Sequence, residues 1–289
     1  MSPIHQCRSS FYSKSRILRV DVFLLFLVIC VAPPFMVRSA WAQEEGYQPI
    51  IDNRFIMIEA GKKVPVEWIK EATRIHVDAI PVFIKDNDTL TERWIWISDD
   101  DIAPIRHAKE LEELWILGSQ VSGPEIEIIL KLPHLKRIDY KGVSHVDDVM
   151  KVIGRVKGLE HLSVAGSKMT NQAIFAIGKL EHLKYLDLEE TGIDSRFFEQ
   201  GIDLPSTLTH LRLDEVQLDN SVIEKLPKGL THLSLNGTGL KPDVIPMLKR
   251  FEQLKRLEIF ANDWSGKDYE RLETQLPNVA VNSTGFSTF

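Results

Sequence analysis

Cysteine is nearly absent. The 289-residue chain has two, Cys7 and Cys30, and both fall within residues 1–42, a stretch with the marks of a removable leader. The rest of the chain has no thiol for a disulfide, a thiolate nucleophile or a zinc–thiolate cluster. Positive charge is also in deficit: 35 Lys and Arg stand against 41 Asp and Glu, a formal net charge of −6. Five of those cations and one of those anions lie in residues 1–42, so the remainder carries 30 against 40, a net charge of −10. Such a surface repels phosphate backbones, and nucleic acid is not expected as a partner. No G-x-S-x-G, H-E-x-x-H, P-loop or dinucleotide fingerprint occurs, so no cofactor is implied. The apolar run Val22–Ala32 is too short to span a bilayer comfortably.

That run sits behind Arg8, Lys14, Arg16 and Arg19 and ahead of Ala40–Trp41–Ala42, an A-x-A cleavage site before Gln43. Residues 1–42 are therefore expected to be a cleaved secretory signal, and the mature protein secreted or periplasmic. The alternative is an uncleaved anchor, the one case in which a membrane enters. A lipoprotein signal matches poorly, because Cys30 follows Ile29 where a small residue belongs.

What the chain has in abundance is a repeat. An opening leucine falls at Leu111, Leu135, Leu159, Leu183, Leu208, Leu230, Leu254 and Leu276. An apolar pair follows each, for example Leu162/Val164, Leu186/Leu188, Leu211/Leu213, Leu233/Leu235 and, at the end, Val279/Val281. Alternation with period two predicts a short strand with one buried face. Gln172–Leu180, Ser221–Leu226 and Val244–Phe251 carry apolar residues at helical spacing behind polar starters. One such unit cannot bury its own apolar face, so units must stack. A small polar residue, Ser119, Ser167, Thr191, Thr238, Asn262 or Thr284, follows each strand and can bond the turn. Val143 and Val216 replace it, which predicts looser turns there.

On these residues the chain resembles the leucine-rich-repeat superfamily, in its ribonuclease-inhibitor-like branch with a strand and a helix per unit. The resemblance covers residues 89–289 and implies an α/β solenoid: a curved parallel sheet inside, helices outside. It implies little about function. The cysteine-based ubiquitin-ligase chemistry of some leucine-rich-repeat effectors is excluded by the missing thiols.

Residues 43–88 do not fit the repeat. Arg54–Glu59 and His76–Lys85 read as strand-like and Val66–Thr73 as a short helix, giving an irregular N-terminal cap or a separate small α/β segment. In Thr91–Ser98, alignment with the next unit buries Trp94 and Trp96. It turns Ile95 and Ile97 to the concave face beside Trp115 and Leu117. Those four residues are expected either to lie under the cap or to form a partner-binding hot spot centred on Trp115. Asp99–Asp101 fit a helix start better than a calcium loop.

The same register puts a mixed polar set on the concave face, and the candidate ligand-binding residues are Trp115, Arg137, Asp139, Lys141, His161, Tyr185, Asp187, Glu189, His210, Arg212, Asp214, His232 and Asn236. His161, His210 and His232 share a column, but no cysteine or dedicated carboxylate completes a metal site. Asp187, Glu189 and Asp214, with Glu190 and Glu215, form an acidic centre. On an open solvated face nothing would raise one carboxyl pKa for acid–base work, so glycoside hydrolysis ranks last. Sequons occur at Asn87, Asn236 and Asn282. The expected function is a non-catalytic, extracytoplasmic module that binds a protein or glycan on its concave sheet. A tethered scaffold is the alternative.

Overall fold

The computed structural model describes residues 54–86, 89–119, 121, 123–143 and 146–283. The chain divides into two units, 1–48 and 49–289. The first lies outside the described residues, and the expected leader with it.

Ten strands form one parallel sheet in the order β1 (Phe55–Glu59), β2 (Arg74–Asp78), β5 (Glu113–Leu117), β6 (Arg137–Lys141), β7 (His161–Ser163), β8 (Tyr185–Asp187), β9 (His210–Arg212), β10 (His232–Ser234), β11 (Arg256–Glu258) and β12 (Ala280–Asn282). Alternate side chains enter the core. The central column runs Ile56, Ile75, Leu114, Ile138, Leu162, Leu186, Leu211, Leu233 and Leu257, and every member is at most 2% exposed. Burying each such side chain contributes about 1.5–3 kcal/mol, available only because the neighbouring repeat supplies the other wall. The fold is a leucine-rich-repeat solenoid.

It starts earlier than the repeat spacing indicates. β1 and β2 belong to the sheet, so residues 54–78 are its first two strands, not a separate segment. Between β2 and β5 the chain leaves the sheet as an antiparallel ribbon of β3 (Ile80–Asp86) and β4 (Thr89–Ile95). That overturns the register assigned to Thr91–Ser98. Trp94 and Ile95 are 46% and 42% exposed on the ribbon, whereas Ile97 is fully buried and pairs with Ser119. Period-two alternation is the same in a ribbon as in a repeat strand, so it could not tell them apart. The last strand also shifts. Ala280, not Asn278, lies opposite Arg256: α7 (Gly266–Gln275) fits within the same 24-residue step that separates His232 from Arg256, so Leu276 is not the opening position of the last unit.

The helical side is thinner than the sequence suggests. α1 (Val66–Ile69), α2 (Asp99–Ile102), α3 (Gly123–Ile129) and α4 (Val146–Ile153) are followed by one-turn pieces, α5 (Ile174–Ile177) and α6 (Ile245–Leu248), each entered through a 3-10 turn. Ser195–Glu199 and Asn220–Lys225 are 3-10 throughout. Asp219 caps the latter, accepting the Ser221 N–H at 2.9 Å. Ser98 and Asp101 form a capping box on α2, and Asp101 also accepts the Gly61 N–H at 2.8 Å, so this carboxylate orders two backbone segments.

Each of the seven strands β5 to β11 exits through a left-handed residue. Gly118, Gly142, Gly166 and Gly237 hold φ between 62° and 67°, and Glu190, Glu215 and Ala261 hold 52°, 58° and 59° at the same place. A side chain there costs roughly 1–2 kcal/mol that glycine avoids. The following polar residues are buried: Thr191 Oγ1 donates to Leu188 O at 2.8 Å, and Asn262 Nδ2 to Leu235 O at 2.8 Å. At Val143 and Val216, where looser turns were expected, the backbone N–H groups are still hydrogen-bonded. Both valines are buried; the next repeat's Ser167 Oγ accepts the Val143 N–H at 3.1 Å, and Leu213 O accepts that of Val216.

Candidate functional site

Strand register sorts the concave face into columns, one side chain per strand. The column at the strand starts runs Arg74, Glu113, Arg137, His161, Tyr185, His210, His232, Arg256. Parallel strands lie about 4.8 Å apart, close to ring-stacking distance. His161 stacks on Tyr185 with centroids 4.0 Å apart, His210 on His232 at 4.1 Å, and Tyr185 lies 6.0 Å from His210. The four rings form a ladder, all half-buried. Trp115 continues the aromatic surface one column inward. Arg137 lies over its ring at 5.2 Å, with His76 at 6.1 Å and Phe55 at 6.5 Å. Trp115 is half-buried.

The middle column differs from expectation. Asp139, Ser163, Asp187, Ser234 and Glu258 are all at most 3% exposed, and Asp214 and Asn236 at the neighbouring positions are buried as well. The longer side chains on either side shelter them. Lys141 Nζ lies 3.7 Å from Asp139 and 3.6 Å from Asp187. Arg212 lies 3.8 Å from Asp187, 2.8 Å from Glu189 and 3.0 Å from Asp214. Ser163 donates to Asp187 at 2.8 Å, Ser234 to Asp214 at 2.5 Å, and Arg137 to Asp139 at 2.7 Å. The result is an ionic lattice that ties β6 to β10. Asp139, Asp187, Asp214 and Asn236 are therefore framework rather than contact residues, which corrects their listing among ligand-binding candidates. The Asn236 amide donates to Ser234 and its oxygen accepts the Phe260 N–H, so the sequon there has no room for a glycan. Asn87 lies outside the described residues.

Charge states follow from this enclosure. Burial pushes Glu189 up to about 7; Asp187, Asp214 and Glu190 add to the rise and Arg212 opposes it. The acidic centre is thus desolvated, not open and solvated as the sequence suggested. Burial pushes Tyr185 up to about 12, helped by Asp187, so it stays a phenol. At Asp139 burial works upward, but the His161 hydrogen bond and the charges of His161, Arg137 and Lys141 outweigh it and hold the carboxyl below the usual range. His210 is lowered by burial, then by His232 and His161; His232 by burial, then by Arg256 and Lys255.

Each of these two imidazoles is tied to the threonine before it. Thr209 Oγ1 lies 3.1 Å from Lys184 O and 2.9 Å from His210 Nδ1, and Thr231 Oγ1 lies 3.0 Å from Thr209 O and 2.9 Å from His232 Nδ1. When the hydroxyl donates to the carbonyl, Nδ1–H donates to the hydroxyl. Among the described residues no three or more His, Cys, Asp or Glu are placed to hold a metal.

Glu189 gives a pH signature. Its folded pKa lies above the unfolded value of about 4.5, so its contribution to stability is fully present below pH 4.5 and lost as pH rises through about 7. Glu189→Gln removes that loss. The variant is expected to gain about 1–2 kcal/mol on the wild type between pH 4.5 and 8, discounted from the full shift because the side chain is 33% exposed. The depressed His210 and His232 act in the opposite sense, costing stability as pH falls below 6.5. Denaturant titrations of both proteins across this range isolate the Glu189 part.

His76, Phe55 and Arg74 contribute to the face although the repeat pattern did not reach them. The strand-like readings of Arg54–Glu59 and His76–Lys85 were the signals for Phe55 and His76. A groove of about 400 Å³ lined by Leu130, Pro133, Val152, Arg155 and Lys157 lies between helix ends and shares no residue with the concave columns.

No protein-family model matches this chain, and no curated protein does. Among solved structures, a leucine-rich-repeat protein of Leptospira interrogans is similar over 75% of this chain, at 20% identity and a TM-score of 0.46. The alignment spans 56% of that protein's length.

Proposed function

We propose that the chain is a non-catalytic, extracytoplasmic binding module that recognises a protein partner through the ring ladder of its concave sheet. The observation that carries this reading is the pairing of a half-exposed row, Trp115, Arg137, His161, Tyr185, His210 and His232, with a buried ionic lattice beneath it. A row held rigid before binding loses little conformational entropy when a partner docks, and aromatic and arginine side chains dominate protein-binding energetics. The lattice also weighs against glycoside hydrolysis. Asp187 and Asp214 are fully enclosed and shared with Arg212 or Lys141, so neither has an open approach for water or sugar. Extracytoplasmic placement rests on the leader pattern in residues 1–42. No helix among the described residues is long and apolar enough to cross a membrane; a tethered scaffold therefore depends on retention of that leader.

Affinity capture with the chain from Gln43 onward tests the reading. Trp115→Ala and Tyr185→Ala are each expected to weaken recovery of the partner about tenfold or more, as hot-spot truncations do. Phe175→Ala on the helical side, where the ring is 39% exposed, leaves recovery unchanged. Full recovery with both concave variants would move the binding site elsewhere.

A further inference from the structure

Charge is sorted along the strands of the concave sheet. From β8 to β11 the strand-start column reads Tyr185, His210, His232, Arg256, and the residues before them read Lys184, Thr209, Thr231, Lys255. Those eight positions hold three cations, two imidazoles and no carboxylate, in a chain where 41 acidic residues outnumber 35 basic ones. The carboxylates of the same strands come later in each. Asp187 and Asp214 are shared by Arg212, Glu258 lies 3.2 Å from Arg256, and Glu190 and Glu215 follow their strands. Within the block, His210 and His232 stack with planes 9° apart and centroids at 4.1 Å. A charged imidazole carries a proton on both nitrogens. Nδ1–H then donates to Thr209 or Thr231, whose hydroxyl donates on to Lys184 O or Thr209 O. Both rings can therefore take a second proton, at Nε2, without turning.

We propose, building on the concave-face reading above, that this block is an anion-binding row for an acidic segment of the protein partner, with a partner carboxylate set across His210 and His232. The surroundings supply the reason. The other charged or titratable groups around the pair are Lys184, Tyr185 and Asp187 on β8 or just before it, Arg212 and Asp214 on β9 or just past it, Lys255, Arg256 and Glu258 on β11 or just before it, and His161 on β7, 3.5 Å from Asp139. The three cations of the block repel added positive charge, and Asp187, Asp214 and Glu258 already serve Arg212 and Arg256. Burial lowers both imidazoles first; His232 and His161 add to the lowering at His210, and Arg256 and Lys255 at His232. Two protonated rings at stacking distance also repel each other. A carboxylate from outside relieves all of these at once, so its binding takes up protons. By linkage its affinity rises as pH falls below 6.5, where the rings begin to charge.

Titration calorimetry of the full chain with a hexa-aspartate peptide, acetylated and amidated at its ends, tests this. The Kd is expected to fall about tenfold between pH 7.5 and pH 5.5, the scale of one charge-assisted hydrogen bond. His210→Gln with His232→Gln should keep the affinity at pH 7.5 and lose the gain in acid, which separates the pair from the general loss of negative charge. A second measurement needs no substitution. The imidazole proton resonances of the pair in the wild-type chain should show midpoints that rise when the peptide is added. Midpoints that ignore the peptide overturn the proposal, as does an acid gain that survives the double substitution. Tighter binding of a thymidine hexanucleotide at the same pH also overturns it, because the row would then select phosphate. The peptide response and the partner capture fail separately. A normal peptide response with capture indifferent to Trp115→Ala and Tyr185→Ala upholds the anion row and refutes the ladder as docking face. No peptide response, with capture still dependent on both residues, upholds the face and refutes the row.

Discussion

Arg212→Ala is expected to lower Tm by about 10 °C and to cost about 3–5 kcal/mol, the range for leaving a buried charge network without its counter-ion. Arg212 is the shared cation of Asp187, Glu189 and Asp214, and its side chain is 16% exposed. Asp187 and Asp214 cannot turn to water without breaking the bonds from Ser163 and Ser234. When the guanidinium is removed, Asp214 loses its cation and Asp187 is left with Lys141 at 3.6 Å. Two internal controls separate this cause from lost packing. Adding Glu189→Gln should recover part of the loss, because one of the three carboxylates is then neutral. The deficit should also shrink as pH falls below about 5, where carboxyls freed of their counter-ion are protonated. A loss that ignores both pH and Glu189→Gln would mean that Arg212 acts through its methylenes alone.

Phe197→Ala is expected to cost about 3–5 kcal/mol, the range for deleting a buried aromatic ring. Phe197 is fully buried and meets Phe198 edge-on, with centroids 5.1 Å apart. Both rings sit in Ser195–Glu199, the helical segment of the longest repeat, where they fill space that helix backbone fills elsewhere. A solenoid unit is stabilised by its interfaces on two sides, and the cavity weakens both. Equilibrium urea unfolding measures the change. Phe175→Ala, at an exposed position on the helical side in α5, should stay within about 0.5 kcal/mol.

The column from Leu114 to Leu257 was legible because a buried strand face requires apolar side chains at fixed spacing, and seven consecutive units kept that spacing. The first two strands were not, because the ribbon of Ile80–Ile95 intervenes between Ile75 and Leu114 and breaks the period. At the other end Leu276, taken as an opening leucine, stands two positions ahead of the regular 24-residue step from β11 to β12, and so shifted the reading of Ala280–Asn282 by two. The identity of the concave residues could be read from register, and His161, Tyr185, His210 and His232 fall in one column as expected. Their burial could not. Whether Asp187 faces water depends on Lys141 and Arg212 folding over it from other strands, and sequence spacing does not encode where long side chains lie. The stacking of His161 on Tyr185 and His210 on His232 has the same origin, in ring contact across a strand gap.

Photocrosslinking tests the binding face most directly. A benzophenone amino acid replaces Tyr185 in one preparation and Phe175 in another, and each is irradiated with the captured partner. The expected result is a covalent adduct of chain plus partner from position 185 and none from position 175. An adduct from position 175 alone would place the partner on the helical side and contradict recognition by the concave ladder.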